Sequence, residues 1–382
     1  MSTTTTQTSP ADPSALDDRL FLARDNLQAL IDLLVAQGHQ VIGPKIDQGA
    51  IVYTEIQSVD ELPRGWTDIQ QPGQYRLEKR NDDAYFGFVV GPHSWKRYLF
   101  PPITTIAVAD QTPQGWEMRG HPGPTPKYAF LGVRACELAA MRVQDRVFLE
   151  GPYVDPIYQS RREEAVIIAV NCTQAAATCF CTSMKTGPEC QSGFDLALTE
   201  TAGGFTVVIG STRGRALAEQ LPLRPAVAEE QAAARAGRER AEQQVTKQFD
   251  TTDIRDLLLK NLNHPHWADV AERCLSCTNC TMVCPTCFCS SVVDVGDLAG
   301  EHVERERRWD SCFNLDFSYM NGGVIRNDVR SRYRQWLTHK LASWIDQFGQ
   351  SGCVGCGRCI TWCPVGIDLT VEVAALRSET AV

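Results

Sequence analysis

The sequence has 382 residues, 43% hydrophobic and 22% charged, with a formal net charge of −9. That length and balance suit a soluble chain of two domains, each with its own core. The acidic excess argues against a nucleic-acid binder, whose footprint would be a basic face. Sixteen cysteines behind an N-terminus with no apolar signal segment point to metal ligation in a reducing compartment rather than a disulfide framework. A cytoplasmic location is expected, and the longest apolar runs, such as 165–170, are far short of a membrane span.

Residues 1–18 are rich in Ser and Thr and read as a disordered tail. Over 20–37 the residues Phe21, Leu27, Leu30, Ile31, Leu34 and Val35 recur at helical spacing, and Gly38 closes the helix. Short alternating runs at 40–46, 50–56, 75–79 and 85–90 read as strands. Trp66, Trp95 and Tyr98 read as core aromatics.

Residues 128–133 predict a buried strand, 136–148 a helix with Leu138, Met141 and Val147 inward, and 165–170 a second strand. Strand, helix, strand predicts a parallel pair with a right-handed crossover. Cys136 follows the first strand and Cys172 the second, at the carboxyl edge where ligands collect in such sheets. Cys179, Cys181 and Cys190 lie in the loop beyond. This grouping reads as the ligand set of a metal cluster on Cys136, Cys172, Cys179 and Cys181, with Cys190 a substitute for one of them. A set of buried free thiols is the alternative.

Residues 194–210 predict a hairpin around Gly203-Gly204. No strand leads into a G-x-G-x-x-G or G-x-x-x-x-G-K-S/T run, so no FAD or NAD(P) is expected on this chain. A polar helix over 226–247 is suited to linking two domains. Helical sequence continues over 250–274, broken at His264-Pro265, and His264 and His266 read as capping and packing residues.

Two stretches then decide the chemistry. Cys274, Cys277, Cys280 and Cys284-Pro285 form the spacing C-x2-C-x2-C-x3-C-P, and Cys353, Cys356, Cys359 and Cys363-Pro364 repeat it. Bacterial-type ferredoxins hold 4Fe-4S clusters with this run, and the fourth cysteine of each copy reaches the other cluster. The expected ligands are therefore Cys274, Cys277, Cys280 and Cys363 for cluster I, and Cys353, Cys356, Cys359 and Cys284 for cluster II. The group at Cys136 to Cys181 becomes a third iron–sulfur cluster. Zinc, with four ligands, needs no third thiolate at i+6 followed by Cys-Pro. Between the motifs lies the insert 285–352, with Cys287, Cys289 and Cys312. These read as buried or interface thiols, the alternative being a fourth cluster shared with Cys179 and Cys181. A basic helix is predicted over 324–348, carrying Arg330, Arg332, Arg334, His339 and Lys340.

The fold class is α/β (α+β) in an N-terminal domain, 19–225, with a cysteine-rich sheet edge. A helical linker, 226–272, leads to a mainly helical, bacterial-ferredoxin-like dicluster domain, 273–382.

Six stretches carry a resemblance: 132–140 around Cys136, Asp155-Pro-Ile-Tyr158 with Arg161-Arg-Glu163, Asn171-Cys-Thr173, 179–184, 284–289, and Trp309-Asp-Ser-Cys312. The chain resembles the beta subunit of cytoplasmic sulfhydrogenases, the NADP-linked nickel–iron hydrogenases, and the related A subunit of anaerobic sulfite reductase. The resemblance implies an electron-carrying subunit beside a flavin- and NAD(P)-binding subunit. In the hydrogenase case large and small hydrogenase subunits complete the assembly. An anaerobic sulfite reductase, or a subunit that itself reduces polysulfide or a disulfide near Cys136 to Cys190, is the alternative. Thr278 departs from the pattern, where many ferredoxin motifs and this chain's own Gly357 have glycine.

Overall fold

The computed structural model describes residues 20–120 and 125–378, so the expected tail at 1–18 lies outside it. The strands, in chain order, are β1 (Leu20–Ala23), β2 (Gln40–Asp47), β3 (Ala50–Glu55), β4 (Trp66–Gln71), β5 (Gln74–Lys79), β6 (Ile103–Thr112) and β7 (Gly115–Gly120). They continue as β8 (Tyr128–Val133), β9 (Val166–Val170), β10 (Leu196–Thr201), β11 (Gly204–Ile209), β12 (Arg224–Pro225), β13 (Ser290–Gly296), β14 (His302–Trp309) and the two-residue pair β15 (Tyr319–Met320) and β16 (Gly323–Val324).

Eight of them form one sheet in the order β12-β1-β11-β10-β9-β8-β2-β3. Its centre, β10, β9, β8 and β2, is parallel, and its flanks are antiparallel. One face buries Leu131, Ile168 and Leu198 against Leu27, Leu30, Ile31 and Leu34 of the helix Leu27–Ala36. The other buries Phe130, Ile167 and Ala197 against Leu138 and Met141 of the helix Ala135–Phe148. Each of these Leu, Ile, Phe and Met side chains, fully buried, contributes about 1.5–3 kcal/mol. The crossover from β8 through this helix to β9 puts Cys136 and Cys172 just beyond the carboxyl ends of two adjacent parallel strands. Register slips between Leu131 and Val133, where Gly132 has φ +100°. This bulge turns the end of the strand towards Arg134 and Cys136.

Three local expectations are corrected. Residues 20–23 are not helical; Phe21 and Leu22 are consecutive buried residues of β1, paired with Thr206 and Phe205 of β11. Residues 85–90 form no strand, because side chains take their backbone groups. The N–H groups of Tyr85 and Phe86 donate to the Glu200 carboxylate at 2.7 and 2.8 Å, and that of Val89 donates to Asp68 at 2.8 Å. The carbonyls of Phe86 and Phe88 accept from Arg134, both at 3.0 Å. The segment is thus a buried loop with its polar groups satisfied. The basic helix starts only at Val329, where Asp328 caps it, and passes through one π-helical turn at His339–Ser343 into Trp344–Phe348.

The insert also holds more strand than a mainly helical domain would. β13 and β14 form a hairpin, and β14 pairs antiparallel with β6, giving a second sheet in the order β13-β14-β6-β7. The polar helix, observed as Ala228–Gln244, packs on β10 and β11 through a buried stripe of Ala234, Gly237 and Ala241.

Candidate metal centre

All sixteen cysteines are free. Cys274, Cys277, Cys280 and Cys363 line one cavity, together with Cys359. A second is lined by Cys284, Cys353, Cys356 and Cys359. Cys136, Cys172, Cys179 and Cys181 line a third, together with Cys356. The structure thus brings together each expected set of four, with its fourth cysteine drawn from the other motif in the first two cavities. The cavities adjoin in a row: Cys356 lines both the third and the second, and Cys359 both the second and the first. Cys190 is buried behind the third cavity, its N–H donating to Asn171 Oδ1 at 2.7 Å.

The donor chemistry fits iron–sulfur clusters. Among the described residues no three His, Cys, Asp or Glu side chains converge closely enough to hold a single metal ion. The thiols surround cavities instead, as ligands to a multi-iron group do. Burial, reinforced by the neighbouring thiols, pushes Cys136, Cys179, Cys280 and Cys359 well above the ordinary thiol range, and burial pushes Cys353 up to about 12. Bound cationic iron would invert that balance, since a coordinating thiol is deprotonated outright.

The local backbone explains the motif spacing. Each loop turns twice through the left-handed region, at Ser276 and Thr278 in the first motif (φ +50° and +68°) and at Gly355 and Gly357 in the second (+65° and +77°). The second loop needs glycine for another reason. The stretch 178–186 is stitched over it: Phe180 N–H donates to Gly355 O at 2.9 Å, Thr186 Oγ1 to Val354 O at 2.6 Å, and the Thr178 and Thr361 hydroxyls meet at 2.9 Å. A Cβ on Gly355 would lie 2.7 Å from the Phe180 and Cys181 backbone, and one on Gly357 2.6 Å from Thr178 O. The third cavity's loop is therefore seated directly on the second motif.

Opposite outcomes are expected at the two equivalent positions. Thr278→Gly should relieve a left-handed β-branched residue and raise stability by about 1 kcal/mol, read as a higher denaturation midpoint. Gly357→Ala should displace the 178–186 loop and lower iron per chain. If both substitutions shift stability in the same direction, this account of the two loops fails.

Side chains that sequence reasoning passed over surround the second and third cavities. Arg358, wholly buried, donates to Glu137 Oε1 at 2.5 Å, Gly91 O at 2.9 Å and His93 O at 2.8 Å. Glu137 Oε2 accepts from Tyr53 Oη and Trp95 Nε1, both at 2.9 Å. Burial would lower Arg358, but the charges of Glu137 and the neighbouring Cys356 more than offset it and hold it raised. Lys340 Nζ, also buried, donates to Cys284 Sγ at 3.3 Å, Thr286 Oγ1 at 3.1 Å and Gly352 O at 3.2 Å. Burial would lower it too, but interaction with the Cys284, Cys287 and Cys353 sulfurs keeps it raised. From sequence the basic run containing Lys340 reads as a partner-docking surface or a charged face, because the partners of Lys340 are far away in sequence. Trp95 is core, as expected, stacked on Tyr53 at 4.0 Å. His266 meets Glu372 at 2.8 Å.

Residues 273–367 match a family described as a 4Fe-4S dicluster domain. Over 333 residues the chain is 33% identical to sulfhydrogenase 2 subunit beta of Pyrococcus furiosus, covering 86% of this chain and 90% of that one. The chain belongs to the sulfhydrogenase beta-subunit family. The similarity to this family extends well beyond the dicluster region into the part of the chain that holds the α/β sheet. No solved structure matches the chain. Among the described residues, no helix is long and apolar enough to cross a membrane.

Proposed function

We propose that this chain is the iron–sulfur electron-transfer subunit of a hydrogenase complex of the sulfhydrogenase type. In this reading it works in the cytoplasm between a flavin- and NAD(P)-binding subunit and the small and large hydrogenase subunits. Bound clusters would supply one-electron transfer at low potential. Cys274, Cys277, Cys280 and Cys363 hold cluster I; Cys353, Cys356, Cys359 and Cys284 hold cluster II; Cys136, Cys172, Cys179 and Cys181 hold the third. The single observation that carries this reading is the row of three cysteine-lined cavities, with Cys356 and Cys359 each lining two neighbours. A structural metal site has no need of such a row.

The protein's own part is to insulate and orient. Phe180, packed against Phe249, lines the second cavity, and Tyr333 and Trp336 line the first. Cys277 is exposed beside Leu275, which is 64% exposed. The first site therefore reaches the surface, where a partner exchanges electrons. The name of the Pyrococcus relative supports hydrogenase as the setting.

Iron and sulfide analysis of the anaerobically purified chain tests the reading. About twelve irons per chain are expected for three clusters, at four per cluster. Cys172→Ser should remove about four of them and one set of EPR signals while leaving the others. Zinc in place of iron would overturn the relay, and full iron in the Cys172→Ser protein would overturn the third cluster alone. Copurification with a flavoprotein and hydrogenase subunits tests the setting.

A further inference from the structure

The first cavity carries two polar side chains that the protein itself leaves without partners. Tyr333 and Trp336 stand three residues apart on one face of the helix Val329–Thr338, and both line that cavity. They are only 2% and 5% exposed. Neither Tyr333 Oη nor Trp336 Nε1 has a hydrogen-bond partner among the described residues. Buried donors are almost always paired, because an orphaned one loses its bond to water and gains nothing in return. Two side by side on one cavity therefore call for an acceptor inside it.

The aromatic neighbours do not supply one. Tyr333 packs edge-on against Phe313 at 6.2 Å and tilted against Trp267 at 6.3 Å, and Trp336 lies 5.5 Å from Tyr333 and 5.9 Å from Phe313. Trp267, the other indole of this group, shows the ordinary solution, its Nε1–H donating to Asn261 O at 2.7 Å. The cavity that Tyr333 and Trp336 share is lined by Cys274, Cys277, Cys280, Cys359 and Cys363. Burial, reinforced by Glu372 and by the Cys280, Cys359 and Cys274 sulfurs, pushes the Tyr333 phenol well above its ordinary range, so it keeps its proton and can donate. The same helical run already gives a donor to sulfur further on. Past its π-helical turn Lys340 lines the second cavity, and its Nζ meets Cys284 Sγ at 3.3 Å.

We propose that Tyr333 Oη and Trp336 Nε1 donate hydrogen bonds to the sulfurs of the iron–sulfur group at the first cavity and raise its reduction potential. The proposal rests on the reading of Cys274, Cys277, Cys280 and Cys363 as ligands of cluster I. An added electron makes the sulfurs stronger acceptors, and hydrogen bonds to a charged acceptor are the stronger ones. Each bond therefore favours the reduced form, in line with the general dependence of cluster potential on hydrogen bonds to sulfur. One helical run thus sets two neighbouring sites, with neutral donors at the first and a cation at the second.

The test is redox titration followed by EPR on the full, iron-loaded chain under anaerobic conditions. Tyr333→Phe removes one oxygen and keeps the ring. It should lower the potential of one signal, changing its reduced-to-oxidised ratio by up to about tenfold, or about 59 mV for a one-electron couple. Trp336→Phe should move the same signal in the same direction. Iron content should hold in both variants, and the signal should differ from the one that Lys340→Met displaces. The denaturation midpoint of the Tyr333→Phe chain should fall, because the hydroxyl leaves a sulfur acceptor unpaired. Potentials that stay put with full iron would overturn the proposal while leaving the clusters standing. So would a raised midpoint, the result of removing a hydroxyl that had no partner. A wild-type chain that carries no iron would overturn the proposal together with the reading it rests on.

Discussion

Replacing Glu137 with alanine should destabilise the protein by about 3–5 kcal/mol, the cost of leaving one partner of a buried ion pair uncompensated. Arg358 has side-chain exposure of 0% and Glu137 of 1%, so water cannot take over the lost contact. The alanine also removes the acceptor for Tyr53 Oη and Trp95 Nε1. The effect should reach the metal sites. Glu137 stands next to Cys136 in the helix after β8, and Arg358 lies between Cys356 and Cys359, so the ion pair fastens the second motif to the sheet. The checks are the anaerobic denaturation midpoint and iron per chain, with Glu137→Gln as the milder variant that keeps the shape and an acceptor oxygen. Substituting methionine at both positions should cost less than the sum of the two single changes, because no bare charge remains. A Glu137→Ala protein within about 0.5 kcal/mol of wild type, the range of ordinary surface changes, would remove the pair from this role.

What the sequence disclosed and what it concealed divide along a physical line. The two C-x2-C-x2-C-x3-C-P runs are legible because a cluster loop is local: its ligands, turns and terminal proline fall within twelve residues. The parallel pair β8 and β9 is legible because continuous apolar runs bounded by turns are what a doubly covered strand looks like. β14 is not, because His302-Val-Glu-Arg-Glu-Arg-Arg-Trp309 satisfies its charges sideways, Arg305 on Asp294 at 2.8 Å and Glu304 with Thr105 at 3.0 Å, and so reads as a solvated run. The 85–90 segment misleads in the opposite direction. Its alternation is that of a strand, yet Glu200, Asp68 and Arg134, all distant in sequence, occupy its backbone groups. At the site, the cysteines announce themselves by type and spacing. Lys340 and Arg358 do not, since a buried cation is indistinguishable from a surface one until the fold supplies its partners.

Lys340 gives the second large expected effect. Its ammonium donates to Cys284 Sγ at 3.3 Å, a ligand expected at cluster II, from a buried position where solvent screens little. Hydrogen bonds and nearby charge are principal settings of iron–sulfur potential. Adding an electron makes the site more negative, so the cation stabilises the reduced state more than the oxidised one. Lys340→Met should therefore lower the potential of the cluster proposed at Cys353, Cys356 and Cys359. A hydrogen bond to a charged group is worth about 1.5–3 kcal/mol, which sets the size at up to about 60–130 mV for a one-electron couple, at 59 mV per tenfold. Thr286 Oγ1 still donates to Gly352 O at 2.6 Å without the lysine, so the loop keeps a tie and iron content should hold. Redox titration followed by EPR reads the shift, and the signals of the other two sites serve as internal standards. A potential that stays put or rises with full iron would mean that Lys340 contributes packing alone. A fall confined to one signal would mark that signal as the site Cys284 joins, and so test the crossing of ligands between the two motifs.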